Sequence, residues 1–156
     1  MWIAVDYCEL CFISIPKINF MAEVGYSGTP LVKKLGIKPE MKILVIHEPV
    51  QYADLLGTNL SKQYVLKNEI PDLVHVFAKN IAVFKKEMRV VLNICKKNTA
   101  VIVWVSWYKK SSGICSDLSE NQIREFALQN NLVDVKVCAV SEVWSGLKLV
   151  VPLAKR

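Results

Sequence analysis

A three-layer α/β sandwich, with a mainly parallel sheet closed by a C-terminal antiparallel hairpin, is the fold this sequence predicts. Three observations carry it. Strand-length apolar runs alternate with helix-period segments from Met41 onward, Ala100–Trp107 is a β-rich run suited to a sheet centre buried on both faces, and the C-terminal stretch holds two strand-like segments joined by a short link. The chain has 156 residues, 53% hydrophobic and 22% charged, an ordinary balance for one core flanked by helices. Its longest apolar run, Thr99–Trp107, falls far short of the roughly 20 residues that a membrane-spanning helix needs.

The elements follow in order. Thr29 is an N-cap candidate, Pro30 suits the first helical position, Leu31, Val32 and Leu35 form a short apolar face, and Gly36 fits the left-handed residue that ends a helix. Met41–Ile46 is the first strand and Val50–Gly57 the helix after it. Gln63–Lys67 has strand character, but only Asn68–Pro71 separates it from the next strand, Asp72–Ala78. A parallel crossover takes a dozen or more residues, so the segment is expected to be an antiparallel edge strand or no strand at all. The usual second crossover is therefore missing or abbreviated. Helix Ile81–Lys97 carries the stripe Ile81, Phe84, Met88, Val91, Leu92 and Cys95, with Lys85, Lys86, Arg89, Lys96 and Lys97 on a solvated face. Ser119 with Gln122 three residues on is a capping-box pattern, opening a helix that turns Ile123, Phe126 and Ala127 inward and ends near Asn130-Asn131. Val133–Ser141 and Leu147–Leu153 form the hairpin, joined through Glu142–Gly146. Two successive β-α-β units imply right-handed crossovers in a Rossmann-like sheet, placed in a single domain over residues 21–156.

The first strand runs into His47-Glu48-Pro49, where a dinucleotide or S-adenosylmethionine site needs glycines to let the backbone approach the cofactor. Ligands of open parallel sheets bind outside the carboxyl ends of the strands, which gathers His47 and Glu48, Lys79 and Asn80, and Ser106 through Gly113. In the last loop Lys109 and Lys110 supply charge, while Ser111, Ser112 and Gly113 offer hydroxyls and a flexible backbone able to cradle an anion. No Walker spacing precedes the lysines. His47 and Glu48, neighbours at a strand end, point to opposite sides, so a capping or loop-ordering role suits the pair better than a working dyad. The second histidine, His75, falls inside a strand. Ser106 lacks the glycine-flanked elbow of a hydrolase nucleophile and Cys115 lacks a base partner, so no catalytic set is predicted. Trp104 and Trp107 have opposite parity along their strand, so at most one faces any given pocket. Trp144, placed at the hairpin turn with Ser145-Gly146, is the tryptophan expected to be exposed and available for stacking. The candidate ligand-binding residues are thus His47, Glu48, Ser106, Trp107, Lys109, Lys110, Ser111, Ser112, Gly113 and Trp144.

The formal charge of +6 leaves a nucleic-acid partner open, although no motif carries it. Five cysteines, an odd number, do not form a secreted disulfide framework, and a cytoplasmic location follows. Cys8 and Cys11 make a lone C-x-x-C without the further ligands of a tetrahedral zinc site, so no metal is predicted. Met1–Phe20 lacks a basic signal-peptide start and is broken by Pro16, and Met21 reads as a second beginning. Residues 1–20 are read as a translated leader or disordered arm.

Four motifs carry a resemblance. Gly25-Tyr26-Ser27-Gly28-Thr29-Pro30-Leu31, Lys33-Lys34-Leu35-Gly36-Ile37-Lys38-Pro39, Trp104-Val105-Ser106-Trp107 with Lys109-Lys110-Ser111-Ser112-Gly113, and Lys136-Val137-Cys138-Ala139-Val140 with Trp144-Ser145-Gly146-Leu147-Lys148-Leu149-Val150 resemble the bacterial family called domain of unknown function 3052. The resemblance implies a small cytoplasmic bacterial protein without an assigned activity, beginning about where Met21 stands. Tyr108 departs from it, standing where proline is expected. In the order of its elements the chain is also similar to class I S-adenosylmethionine-dependent methyltransferases. That superfamily's glycine-rich first loop is replaced here by His47-Glu48-Pro49-Val50-Gln51, and Glu69 is the only acid near the place of its ribose-holding residue. The reading that results is a non-catalytic or regulatory module for an anionic small molecule or acidic protein partner. A divergent S-adenosylmethionine-dependent methyltransferase and a nucleic-acid-binding protein are the alternatives.

Overall fold

The structure, a computed structural model, describes residues 28–156. The readings of residues 1–20, of Met21 as a start and of Cys8 with Cys11 lie outside them. Among the described residues five strands form one sheet: β1 (Ile43–Ile46), β2 (Leu73–Phe77), β3 (Ile102–Tyr108), β4 (Val133–Ala139) and β5 (Trp144–Val150), in the spatial order β1-β2-β3-β5-β4. The β1-β2 and β2-β3 pairs are parallel, while β5 runs antiparallel to both β3 and β4. Every strand except β5 therefore points the same way. This is the mixed α/β, Rossmann-like sandwich expected from the alternation of elements.

Strand parity sorts the core into two layers. On one face Leu44, Ile46, Val74, Val76, Val103 and Val105 meet Phe84, Met88 and Val91 of α3 (Ile81–Lys97) and Ile123 and Ala127 of α4 (Glu120–Gln129). On the other, Ile43, Leu73, Phe77 and Trp104 meet Leu31 and Leu35 of α1 (Leu31–Leu35) and Tyr52 and Leu56 of α2 (Tyr52–Leu56). Burial on both faces explains the nearly continuous apolar runs of β2 and β3, each broken by one buried polar residue, His75 and Ser106. Among the described residues no helix is long and apolar enough to cross a membrane.

Local signals set most boundaries. Gly36 and Gly57 end α1 and α2 in left-handed conformation, at φ of 75° and 65°. Pro30 is the residue before α1, one position earlier than expected, and its extended ψ of 144° keeps it outside the helix. The capping box of α4 is complete, with the Ser119 hydroxyl accepting from Gln122 N and the Gln122 side chain accepting from Ser119 N.

Gln63–Lys67 forms no strand, the second of the two expected alternatives, although Tyr64 makes a single parallel bridge to Ile43, with Ile43 N donating to Gln63 O and Val65 N to Ile43 O. One bridge needs no second strand-helix crossover, so the short connection to β2 suffices. The hairpin expectation is corrected. β5 begins at Trp144, and the turn is Ser141–Val143, closed by the Ser141 hydroxyl accepting from Val143 N and Trp144 N at 3.1 and 3.0 Å. Ser145 and Gly146 lie inside the strand. Gly146 is there for close approach, since a Cβ would sit 2.9 Å from Val140 Cγ2 and 3.3 Å from Trp104 Cε3. Trp144, expected to be exposed, is only 7% exposed, because it packs edge-on to Phe77 beneath the sheet's end.

Candidate functional site

The path of the chain creates a crevice. From β1 it passes through α2 to the Tyr64 bridge on the outer side of β1, whereas from β2 it passes through α3 to β3 on the inner side. The two helices lie on opposite faces of the sheet, so the loops leaving β1 and β2 part from each other at their carboxyl ends. In open α/β sheets this switch point is where ligands bind. A cleft of about 980 Å³ opens there, lined by His47, Glu48 and Pro49 after β1, Lys79 after β2, Tyr108 at the end of β3, and Glu142 to Trp144 of the hairpin turn. A shallower depression of about 580 Å³ lies beyond Glu48, between α2 and Tyr64, whose phenol reaches the Glu48 carboxylate at 3.5 Å.

The β1 loop is held by an acid within a helix's apolar stripe. Glu87 of α3, only 2% exposed, accepts from His47 Nε2 at 3.0 Å and from Lys67 Nζ at 3.1 Å. Burial pushes the carboxyl's pKa up, but the hydrogen bonds and charges of Lys67 and His47 outweigh it and hold it below its ordinary value. His47 sits at φ 58°, a conformation that costs a non-glycine residue energy, and its bond to Glu87 fixes it there. Glycine's freedom is replaced by an anchored imidazole.

Beneath the cleft lies a second polar cluster. His75 of β2, fully buried, has Nδ1 2.7 Å from the Tyr52 hydroxyl and Nε2 2.7 Å from Ser106 Oγ. A neutral imidazole carries its proton on one nitrogen, so it donates one of these bonds and accepts the other. Burial pulls its pKa down to about 3 and pushes that of the Tyr52 phenol up. Aromatic rings continue from there to the cleft: His75 stacks on Phe77 at 4.2 Å, Phe77 meets Trp144 edge-on at 5.2 Å, and Trp144 stacks on Tyr108 at 4.2 Å.

The sequence-predicted residues divide accordingly. His47, Glu48 and Trp144 line the cleft, and Lys79 joins them. Ser106 does not reach it, being buried against His75. Trp107, Lys109, Lys110 and Ser111 line a separate depression of about 480 Å³ beside the start of α4, so the three loops expected to converge do so only in part. Tyr108 is the wall between the two. Within that loop the Ser112 hydroxyl donates to Lys109 O at 2.6 Å, and Gly113 at φ 72° closes the short 3-10 turn 110–112. Sequence reasoning missed Glu87, Glu142 and the Tyr52–His75–Ser106 chain. Glu87 had a signal, a lone acid between Phe84 and Met88 on an apolar stripe. Among the described residues no group of three His, Cys, Asp or Glu side chains is placed to hold a metal ion.

No family model matches the chain. A 52-residue stretch, 33% of the chain, is 40% identical to the Δ(3,5)-Δ(2,4)-dienoyl-CoA isomerase of Saccharomyces cerevisiae and spans 19% of that protein's length. Among solved structures, an uncharacterized protein from Listeria monocytogenes serotype 4b is similar at a TM-score of 0.51 and 12% identity, over 80% of this chain and 68% of that one. This likeness shows a shared fold. The tRNA methyltransferase TrmK of B. subtilis aligns over 80% of this chain and 66% of its own at 10% identity and a TM-score of 0.47.

Proposed function

We propose that this chain is a non-catalytic binding module that holds a small ligand in the cleft at the ends of β1, β2 and β3. The supporting observation is how the cleft's reactive groups are committed. His47 is tied to Glu87, while Ser106 and His75 bond each other beneath the floor, so neither histidine nor this serine is free to act on a molecule in the cavity. What the cleft does offer is recognition: the stacked Tyr108 and Trp144 rings, and the Lys79 ammonium, which has no bonding partner among the described residues and suits the ligand's anionic group. The β1 loop argues against a cofactor clamp of the usual kind, because an imidazole and a proline stand where backbone must approach the cofactor.

Ligand-observed NMR on a small-molecule extract of the protein's own cells tests this. Wild-type protein is expected to attenuate a subset of signals that Val143→Trp, which fills the cleft, leaves unchanged. Identical spectra for the two proteins would refute the site. Calorimetric heat from millimolar S-adenosylmethionine or its demethylated product would replace this reading by that of a divergent methyltransferase.

A further inference from the structure

We propose, on the basis of that binding-module reading, that the ligand is a zwitterion with a flat apolar body, the class of the aromatic α-amino acids and their derivatives. The inference comes from the charges left uncommitted at the cleft. His47 is bonded to Glu87, and Glu48 is approached by the Tyr64 hydroxyl. Lys79 and Glu142 remain, and the side chain of neither has a hydrogen-bond or ion-pair partner among the described residues. One is a cation and the other an anion.

Their placement is set by the sheet. Lys79 follows β2, Glu142 precedes β5, and β3 lies between them. Neighbouring strands are about 4.8 Å apart, so the strand ends from which the two loops leave are separated by roughly 10 Å, with β3 and its terminal Tyr108 between them. Lys79 and Glu142 are both long side chains, able to close on opposite charges carried by one small molecule while its flat body lies on the Tyr108 ring. Pro49, Leu55 and Val143 line the same cavity, and Val50 and Ile114 expose apolar side chains on its two facing loops. A purely anionic ligand would bring its charge near Glu142 and Glu48, and a purely cationic one near Lys79, and like-charge juxtaposition is unfavourable in each case. A zwitterion satisfies both ends and buries its apolar part.

Calorimetry on the full chain with L-tryptophan, indole-3-propionate, which lacks the amine, and tryptamine, which lacks the carboxylate, tests this. Tryptophan is expected to bind about tenfold more tightly than either analogue, the scale of one lost charge-assisted contact. Lys79→Gln should weaken tryptophan and indole-3-propionate by about that factor and spare tryptamine, and Glu142→Gln should weaken tryptophan and tryptamine and spare indole-3-propionate. Equal affinity for all three, an unchanged ranking in the two variants, or no binding by any of them at millimolar concentration overturns the proposal. These outcomes leave the cleft itself to be judged by the Val143→Trp comparison.

Discussion

His75 shows what one buried side chain can require of the solvent. Its imidazole is neutral in the fold, with a pKa of about 3 against an ordinary value of 6.5, because burial opposes the charged form. Between those values the unfolded chain binds a proton that the folded one does not. The stabilising contribution is thus fully present above pH 6.5 and is lost as pH falls toward 3, with a limiting slope of about 1.4 kcal/mol per pH unit. Urea unfolding of wild-type protein between pH 7 and 4 should show this loss, and His75→Gln should be less stable at pH 7 yet less sensitive to acid. Equal slopes in the two proteins would exclude His75 as the source. Strand alternation was enough to place His75 inside the sheet. Its partners were not legible, since Tyr52 and Ser106 lie 23 and 31 residues away and meet it only when α2 packs on β2 and β2 pairs with β3. Glu48 and His47 were placed correctly at the end of β1, and the ordering role read for His47 has a physical form in its bond to Glu87.

At the level of elements, the helices were more legible than the hairpin. The capping box, the apolar stripes and the terminal glycines of α1 and α2 are local signals that tertiary packing reinforced. In the hairpin, the pair Ser145-Gly146 has turn chemistry but serves a packing need, and the true turn at Ser141–Val143 contains no glycine. Gly146 faces Ser106 on β3 and Cys138 on β4, where the space above it is occupied by Val140 and Trp104. Gly146→Ala is expected to cost about 1–3 kcal/mol through overpacking. Removing the nearest atoms with Val140→Ala in the same chain should recover part of that loss. Strict additivity of the two substitutions in a double-mutant cycle would instead assign the effect to backbone conformation.

Across the whole molecule, Glu87 joins segments that lie far apart in sequence. It fastens the loop after β1 and the segment after the Tyr64 bridge to α3, and so fixes one wall of the cleft. Glu87→Gln is expected to destabilise the fold by about 1–3 kcal/mol. It should also speed amide exchange selectively at residues 47, 48 and 65–67; uniform exchange across the chain would deny it a local role. Its carboxylate's contribution is present above the ordinary carboxyl pKa and disappears as pH falls through the lowered one, so it adds to the acid sensitivity due to His75.

The strand order also bears on synthesis. Because β5 lies between β3 and β4, it is, among the described residues, the strand through which β4 joins the rest of the sheet. A chain emerging from the ribosome can pair β1, β2 and β3 in sequence, but it then presents the open edge of β3, a long and almost wholly apolar strand, until residues 144–150 are free. The interval between those two events is when this protein is most exposed to aggregation, and a chaperone that shields a single strand edge would be enough to cover it.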